Sequence, residues 1–291
     1  MRAFRLKRTD WVGWIFSLPL LIGILGFAVY PMVYSLFMSF LQNGEWVGLK
    51  NYSYVVNDTM FWKSLWNTLY MGMLSVILGV SLSFILATLI YNVNFPRWRN
   101  FFKAVYFLPN VVSLVATSIL FSLLFYPDQQ GLLNYVASLV GIEPIGWFTD
   151  PNVARFSIVL MTLWGMLGYN TIIFLAALTS VPKELYEAAE VDGGNFFKKW
   201  WYVTIPYVRP VLMFMVIIGT INGMKRFTDI WLIGGSAGNP GGSLMTSVLY
   251  IYRNAFMSSQ MGVGTAATYL LFLIILVLTL ILMKLNKDQT K

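Results

Sequence analysis

Two short stretches gather residues of this chain that could do chemistry. The first, VPKELYEAAEVDGGNFFKKWWYVTIPYVRP (Val181 to Pro210), sets Glu184, Glu187, Glu190 and Asp192 before a glycine pair and Lys198 and Lys199 after it. The second places Lys225, Arg226 and Asp229 in an otherwise apolar run. Carboxylates beside ammonium and guanidinium groups could move protons, hold an anion or dock on a charged partner. The usual companions of catalytic acids are missing, because the 291 residues include no histidine and no cysteine. That removes the commonest general base, thiolate metal sites and disulfides together. No HExxH, GxSxG or GxxxxGK[ST] pattern occurs, so zinc hydrolysis, serine-hydrolase chemistry and a phosphate cradle of the usual kinds are not written here. The expectation is a chain that does no covalent chemistry, with no catalytic residue, metal or cofactor of its own.

What surrounds these stretches is very apolar: 58% of residues are hydrophobic and only 11% charged, about half the charge of a soluble domain. A membrane-spanning helix needs about 20 mostly apolar residues. Six runs qualify, roughly Trp11 to Phe40, Leu65 to Tyr91, Ala104 to Tyr126, Phe156 to Leu178, Val211 to Ile233 and Gly262 to Leu285. The alternation of a membrane β-barrel is missing, so helices are the way to satisfy the backbone in lipid. The reading is an all-α membrane protein of six transmembrane helices in one domain, residues 1–291. Pro19 and Pro31 predict a kinked or two-part first helix. That first run is longer than the core of a signal peptide, and no small-x-small cleavage site follows it.

Cytoplasmic segments hold an excess of Lys and Arg. Arg2, Arg5, Lys7 and Arg8 open the chain; Arg97, Arg99 and Lys103 lie between spans two and three; Lys183, Lys198 and Lys199 lie between four and five; Lys284, Lys287 and Lys291 close it. Both termini and the Val181–Pro206 connection are therefore expected in the cytoplasm. The loop from Pro127 to Ala154 carries Asp128, Glu143 and Asp150 and no basic residue, as an external loop would. The net charge of +8 is read as topology determinants and contacts with anionic lipid headgroups, not as nucleic-acid binding.

Two short helices are expected in that connection. Pro182 suits the first helical position, with Glu184 and Glu187 in the opening turns where the helix dipole favours acids; Asp192, Gly193 and Gly194 stop it. A second runs from Phe196 to about Tyr202, before Pro206 and Pro210 lead into span five. The plain alternative for such a segment is an interfacial amphipathic helix.

The spacing here resembles a known family. Glu187, Ala188, Ala189, then Gly193 after three residues, Val203 after nine more, then Ile205 and Pro206 are similar to the EAA loop of permease subunits in ATP-binding-cassette (ABC) importers, EAA-x3-G-x9-I-x-L-P. Val203 and Ile205 replace the I and L. The segments FAVYPMVYSLFMSF, GLKNYSYVV, FWKSLWNTLY, FFKAVYFLPNVV, FYPDQQGLLN and YIYRNAF resemble the carbohydrate subclass with a maltose-type first permease. IGGSAGNPGG, Ile233 to Gly242, departs from that subclass's T-x-GGP.

The resemblance implies a prokaryotic cell membrane and a division of labour. This chain would form half the pathway beside a second, different permease. Two ATPase subunits would bind ATP and Mg, an extracytoplasmic binding protein would deliver substrate, and membrane lipids would surround the spans, with no nucleic acid involved. It implies coupling to the ATPase through Glu187, Ala188, Ala189, Asp192, Gly193 and Pro206. It also implies a substrate pathway at Gly168, Tyr169, Asn170 and Thr171 in span four and Asn222, Gly223, Lys225, Arg226 and Phe227 in span five. Amides, hydroxyls and an aromatic face are what sugar recognition needs, although an intramembrane Asn also joins helices. Most of Gly72, Gly79, Gly165 and Gly168 are read as packing glycines.

Lys225 and Arg226 admit two readings. They either snorkel to the interface at the outer end of span five, or one of them faces the lumen, paired with Asp229, and holds the carboxylate of an acidic saccharide. Alternatives for the whole chain are an importer of glycerol phosphates or another polar solute, and a non-transport membrane scaffold.

Overall fold

The computed structural model describes residues 8–287; Arg2, Arg5, Lys7 and Lys291 of the charge argument lie outside the described residues. Helices come in the order α1 (Arg8–Ile24), α2 (Tyr30–Met38), α3 (Lys50–Asn57), α4 (Thr59–Tyr91), α5 (Pro96–Val111), α6 (Leu114–Leu124), α7 (Leu132–Ser138), α8 (Pro151–Thr179), α9 (Lys183–Val191), α10 (Phe196–Lys199), α11 (Ile205–Met224), α12 (Thr228–Gly234), α13 (Ser247–Tyr252) and α14 (Met261–Lys287). Single π-helical turns at Leu25–Val29 and Trp200–Thr204 join α1 to α2 and α10 to α11, and a third covers Arg253–Met257. Gly13–Met38, Thr59–Tyr91, Pro151–Thr179, Phe196–Met224 and Met261–Asn286 are each long and apolar enough to cross a membrane. The backbone falls into two compact units.

The smaller unit, residues 1–58 and 251–270, carries α1, α2, a two-residue-per-strand hairpin (Leu41–Gln42 with Glu45–Trp46) and α3. The hairpin turns through Asn43 and Gly44, both at positive φ, as a tight hairpin turn requires. The buried Asn51 amide donates to the carbonyls of Ser39 and Leu41, 2.9 Å each, and so ties α3 to the hairpin. The first helix is continuous through a π turn where Pro19 and Pro31 had predicted a kink or two parts.

The larger unit, residues 59–250 and 271–291, contains the core. Asp150 caps α8 by accepting from the Asn152 N–H (2.8 Å), and Pro151 takes the first helical position, both favoured placements. Helix α8 packs along α4 through Val80, Phe84, Phe174 and Leu178, with the Phe84 and Phe174 rings edge to face at 5.5 Å. Helix α11 crosses α4 where Gly72 and Gly223 meet backbone to backbone; a Cβ on Gly223 would lie 2.9 Å from the Gly72 Cα. Gly79 makes room for Met166, and Gly168 lets α5 lie directly against α8 at the Tyr106 carbonyl. Gly165 is different: a Cβ there meets nothing within 4 Å, because it lines a cavity and does not serve packing.

Three expected boundaries are corrected. Residues 104–126 are not one straight span, since α5 and α6 meet at 98°. Pro109 removes a donor from the last turn of α5, and Ser113 caps α6 by accepting from the Ala116 N–H (3.2 Å). The fifth span does not run from Val211 to Ile233; it starts at Phe196, absorbs the expected separate helix there, and ends at Met224. Pro182 does not open α9 but precedes it, with ψ of 134°. The segment after α12 is pinned: the Asn67 amide donates to the carbonyls of Gly242 and Met245, 3.0 Å each, and Lys63 to that of Gly241 at 2.8 Å.

These contacts separate two glycines on one helix. Gly168→Ala forces α5 off α8, and the expected loss is about 1–3 kcal/mol. Gly165→Ala adds a methyl to open space and gains helix propensity, so its stability stays within about 0.5 kcal/mol or rises. Thermal unfolding of the two detergent-solubilised variants decides it; equal stability contradicts the packing described.

Candidate functional site

A cavity of about 520 Å³ opens inside the larger unit, walled by α4, the α5–α6 bend, α8, α11 and the segment that follows α11. The volume lies in the range of small-molecule sites. On α8 the lining residues Thr162, Gly165, Met166 and Tyr169 recur at the helical spacing of one face. Asn170 also lines it; its side chain is 2% exposed, and its Nδ2 has no hydrogen-bond partner among the described residues. Ser75 Oγ on α4 is likewise buried without one.

The charged end of the cavity is made by a helix break. After Met224 the chain leaves the helix at Lys225 (φ −98°, ψ 13°), and α12 starts at Thr228. Free of the helical 100° step, Lys225, Arg226 and Phe227 all line the cavity. The snorkelling reading does not describe Arg226. The Arg226 guanidinium is folded inward, with Nη2 donating to Thr162 Oγ1 at 2.5 Å and Nε 3.4 Å from Asp229 Oδ2. Side-chain exposure is 11% for Arg226 and 4% for Asp229. The main chain of the break is held as well, because Thr246 Oγ1 donates to the Arg226 carbonyl (3.0 Å).

Of the residues expected on the pathway, Tyr169, Asn170, Asn222, Gly223, Lys225, Arg226 and Phe227 line the cavity. Gly168 and Thr171 do not. Gly168 receives α5, and the buried Thr171 hydroxyl reaches the Ser83 carbonyl at 3.5 Å across the α4–α8 seam. Sequence reasoning missed Ser75, Asn110, Thr117 and Thr162 as lining residues. Thr162 was legible, seven positions before Tyr169 on the same helical face; Asn110 and Thr117 depend on the bend.

At the other end of α8 and α11, helix α9 carries Glu187 and Ala188, both exposed, and Ala189, half-buried. Its stop uses Gly193 at φ +72°, a conformation glycine adopts without strain. The Gly194 N–H closes the turn on the Ala189 carbonyl at 2.7 Å. Asp192 caps the helix end and Pro206 sits in the first turn of α11, both exposed. The Tyr186 hydroxyl and Thr204 Oγ1 lie 3.0 Å apart, Trp200 Nε1 donates to Thr88 Oγ1 at 3.2 Å, and Trp200 stacks on Phe84 at 5.5 Å. Burial pushes the Tyr186 phenol above its ordinary pKa, opposed by the Thr204 hydrogen bond and aided by nearby Tyr91, so it stays neutral and available as a hydrogen-bonding partner. Lys199 reaches Glu190 at 3.2 Å. Val191 and Phe197 around this loop are 89% and 74% exposed.

Residues 79–289 match the sequence pattern of the family described as the binding-protein-dependent transport system inner membrane component. The chain belongs to that family. It is therefore a permease, a multi-pass transport component of an inner membrane. Relatives include the arabinooligosaccharides transport system permease AraP of Bacillus subtilis, 34% identical over 94% of this chain and 88% of the relative. Another is the lactose transport system permease LacF of Rhizobium radiobacter, 35% identical over 92% and 91%. The fold is shared with the crystal structure of a bacterial ABC transporter involved in import of the acidic polysaccharide alginate (TM-score 0.83, 24% identity, 98% of both chains). It is shared equally with the alginate transporter in complex with an alginate pentasaccharide-bound periplasmic protein (TM-score 0.87, 24% identity, 98% and 96%).

The Arg226–Asp229 pair gives this permease a stability test. Asp229→Asn leaves a buried guanidinium short of its countercharge and is expected to cost about 3 kcal/mol or more, whereas the double replacement Arg226→Met, Asp229→Leu recovers most of the loss. Thermal unfolding in detergent measures both; a double variant as weak as the single one contradicts the pairing.

Proposed function

We propose that this permease forms half of the pathway of an ATP-driven sugar or oligosaccharide importer and couples to its ATPase through α9. The observation that carries the reading is connectivity. The two helices walling most of the cavity, α8 and α11, are the two that α9 joins, so a push on α9 is delivered to the site. The cavity's chemistry supports a sugar: amides at Asn170 and Asn222, hydroxyls at Ser75, Thr117 and Thr162, and the Tyr169 and Phe227 rings, the mixture of directed polar groups and aromatic faces that binds saccharides. The names of AraP and LacF agree with it.

In this reading both termini and α9 are cytoplasmic. A second permease completes the cavity, two ATPase subunits bind ATP and Mg, and an external binding protein delivers the sugar; the alginate transporter is found in complex with a pentasaccharide-bound periplasmic protein. Glu187, Ala188 and Ala189 enter a cleft of the ATPase, where the small alanines permit close approach and the acid meets a basic residue. ATP-driven closure of the ATPase pair moves α9, and the cavity reverses its opening.

Gly193→Val tests the coupling. A β-carbon there meets no neighbour, so the defect is conformational, about 1–2 kcal/mol of strain at a positive-φ turn, and the subunit inserts. In the assembled importer, transport is expected to fall at least about tenfold while basal ATP hydrolysis persists; normal transport would remove α9 from the coupling role. The division of labour is tested by the subunit alone in liposomes, which is expected to take up no sugar. Robust uptake without ATP would instead favour a facilitator.

A further inference from the structure

The cavity wall includes two cations, Lys225 and Arg226, and one acid, Asp229. Asp229 is committed to the Arg226 Nε. Arg226 spends Nη2 on Thr162, and its Nη1 is buried with no hydrogen-bond partner among the described residues. Lys225 is exposed to the cavity and has no ion pair among the described residues. The lining therefore carries one positive charge more than its acid offsets. Neutral sugar needs none of this, since amides, hydroxyls and rings suffice, and the buried Arg226 Nη1 left without an acceptor is costly.

A monoanion balances the excess. A phosphate, at about −1.5 to −2, overshoots it; a carboxylate matches it. With Nε facing Asp229 and one Nη2 N–H on Thr162, the guanidinium keeps its Nη1 donors, and Lys225 supplies a second cation. Charge-assisted hydrogen bonds of this kind are about twice as strong as neutral ones.

Resting on the reading of the cavity as a saccharide pathway, we propose that the transported saccharide carries a carboxylate, as a uronate sugar does. It is held by Lys225 Nζ beside the Arg226 guanidinium, whose buried, unpartnered Nη1 turns outward to meet it. Thr162 and Asp229 act as positioning residues that aim the guanidinium, and the unpartnered Asn170 amide faces the sugar's hydroxyls.

The test uses the complete importer in liposomes, with its binding protein and ATP inside. The probes are a disaccharide carrying one galacturonate, the same disaccharide with its carboxylate reduced to an alcohol, and glycerol 3-phosphate. Because one binding protein serves every permease variant, its own preference cancels in the wild-type-to-variant ratio. Lys225→Gln, whose exposed side chain can change without disturbing the fold, is expected to lower uptake of the acidic disaccharide about 10- to 100-fold more than uptake of the reduced one. Arg226→Lys is expected to retain more acidic uptake than Arg226→Gln. A wild type that carries both disaccharides equally, or variants whose acid-to-neutral ratio does not change, overturns the carboxylate and leaves the sugar reading in place. Uptake of glycerol 3-phosphate with neither disaccharide carried, or no uptake of any probe, overturns the sugar reading and this proposal with it.

Discussion

A helix that stops inside an apolar bundle leaves carbonyl and amide groups that water is not there to satisfy, so such a stop is tolerated only where other protein groups or a polar cavity take them up. Two helices of the larger unit stop in this way, α5 at Val111 and α11 at Met224, and both stops face the same cavity. Each break is served locally. The Val112 N–H returns to the Pro109 carbonyl and Ser113 caps α6; the Lys225 N–H returns to the Asn222 carbonyl and Thr246 covers that of Arg226. A cavity with polar walls follows from these broken helices, since an unbroken apolar helix would have presented only side chains. The price is a short segment after α11 whose shape depends on the side chains of Thr162 on α8 and Thr246 just before α13.

That dependence is also what can make the cavity respond to the α9 loop. From Phe196 to Met224 the chain is one helix of 29 residues, about 43 Å long at the usual rise, with the turn after α9 at one end and the break at the other. Among the ties holding its lower end, the Lys199–Glu190 pair counts for little, because Glu190 is 72% exposed and such pairs contribute about 0–1 kcal/mol. The stack of Trp200 on Phe84 and its hydrogen bond to Thr88 are sheltered, and an aromatic pair adds about 0.5–1.5 kcal/mol beyond its buried area. Farther along, the backbone contact of Gly72 with Gly223 leaves no flexible side chain between α4 and α11 to absorb motion. A displacement entering at α9 has a rigid route to the residues around Lys225.

How much of this the sequence carried depends on how local each signal is. Span existence was legible for five runs, because hydropathy over 18 or more residues needs no neighbour to interpret it. The EAA spacing was legible because one helix and its glycine stop are adjacent in sequence, and Gly193 takes the positive φ its position foretold. The bend between α5 and α6 was not, since Pro109 alone also fits a straight span with a kink. The end of α11 was misread for a related reason: Lys225, Arg226 and Asp229 were weighed as residues of a continuing helix, where spacing sets their directions. The break frees those directions, and it is stabilised by Thr162 and Thr246, distant in sequence. Gly168 and Thr171 were expected on the pathway from the family resemblance, as part of a run with Tyr169 and Asn170, yet on a helix adjacent residues point about 100° apart, and they face α5 and α4.

The arrangement of polar groups also argues that recognition is shared. Within this chain the cavity wall offers one rigid cation at Arg226, fixed from two sides, and one flexible cation at Lys225, while its aromatic faces, Tyr169 and Phe227, lie on two different elements. Tyr169 is 48% exposed, too open to sandwich a sugar ring against anything this chain supplies. A ring stacked on Tyr169 would need its other face covered, either by water or by a second wall. If a second permease provides that wall, substrate contacts at the fixed Arg226 remain constant as the two halves rock, and those across the seam are made and broken. A site divided in that way holds its cargo firmly in one state and loosely in the other, which is the difference in affinity that a pump must create.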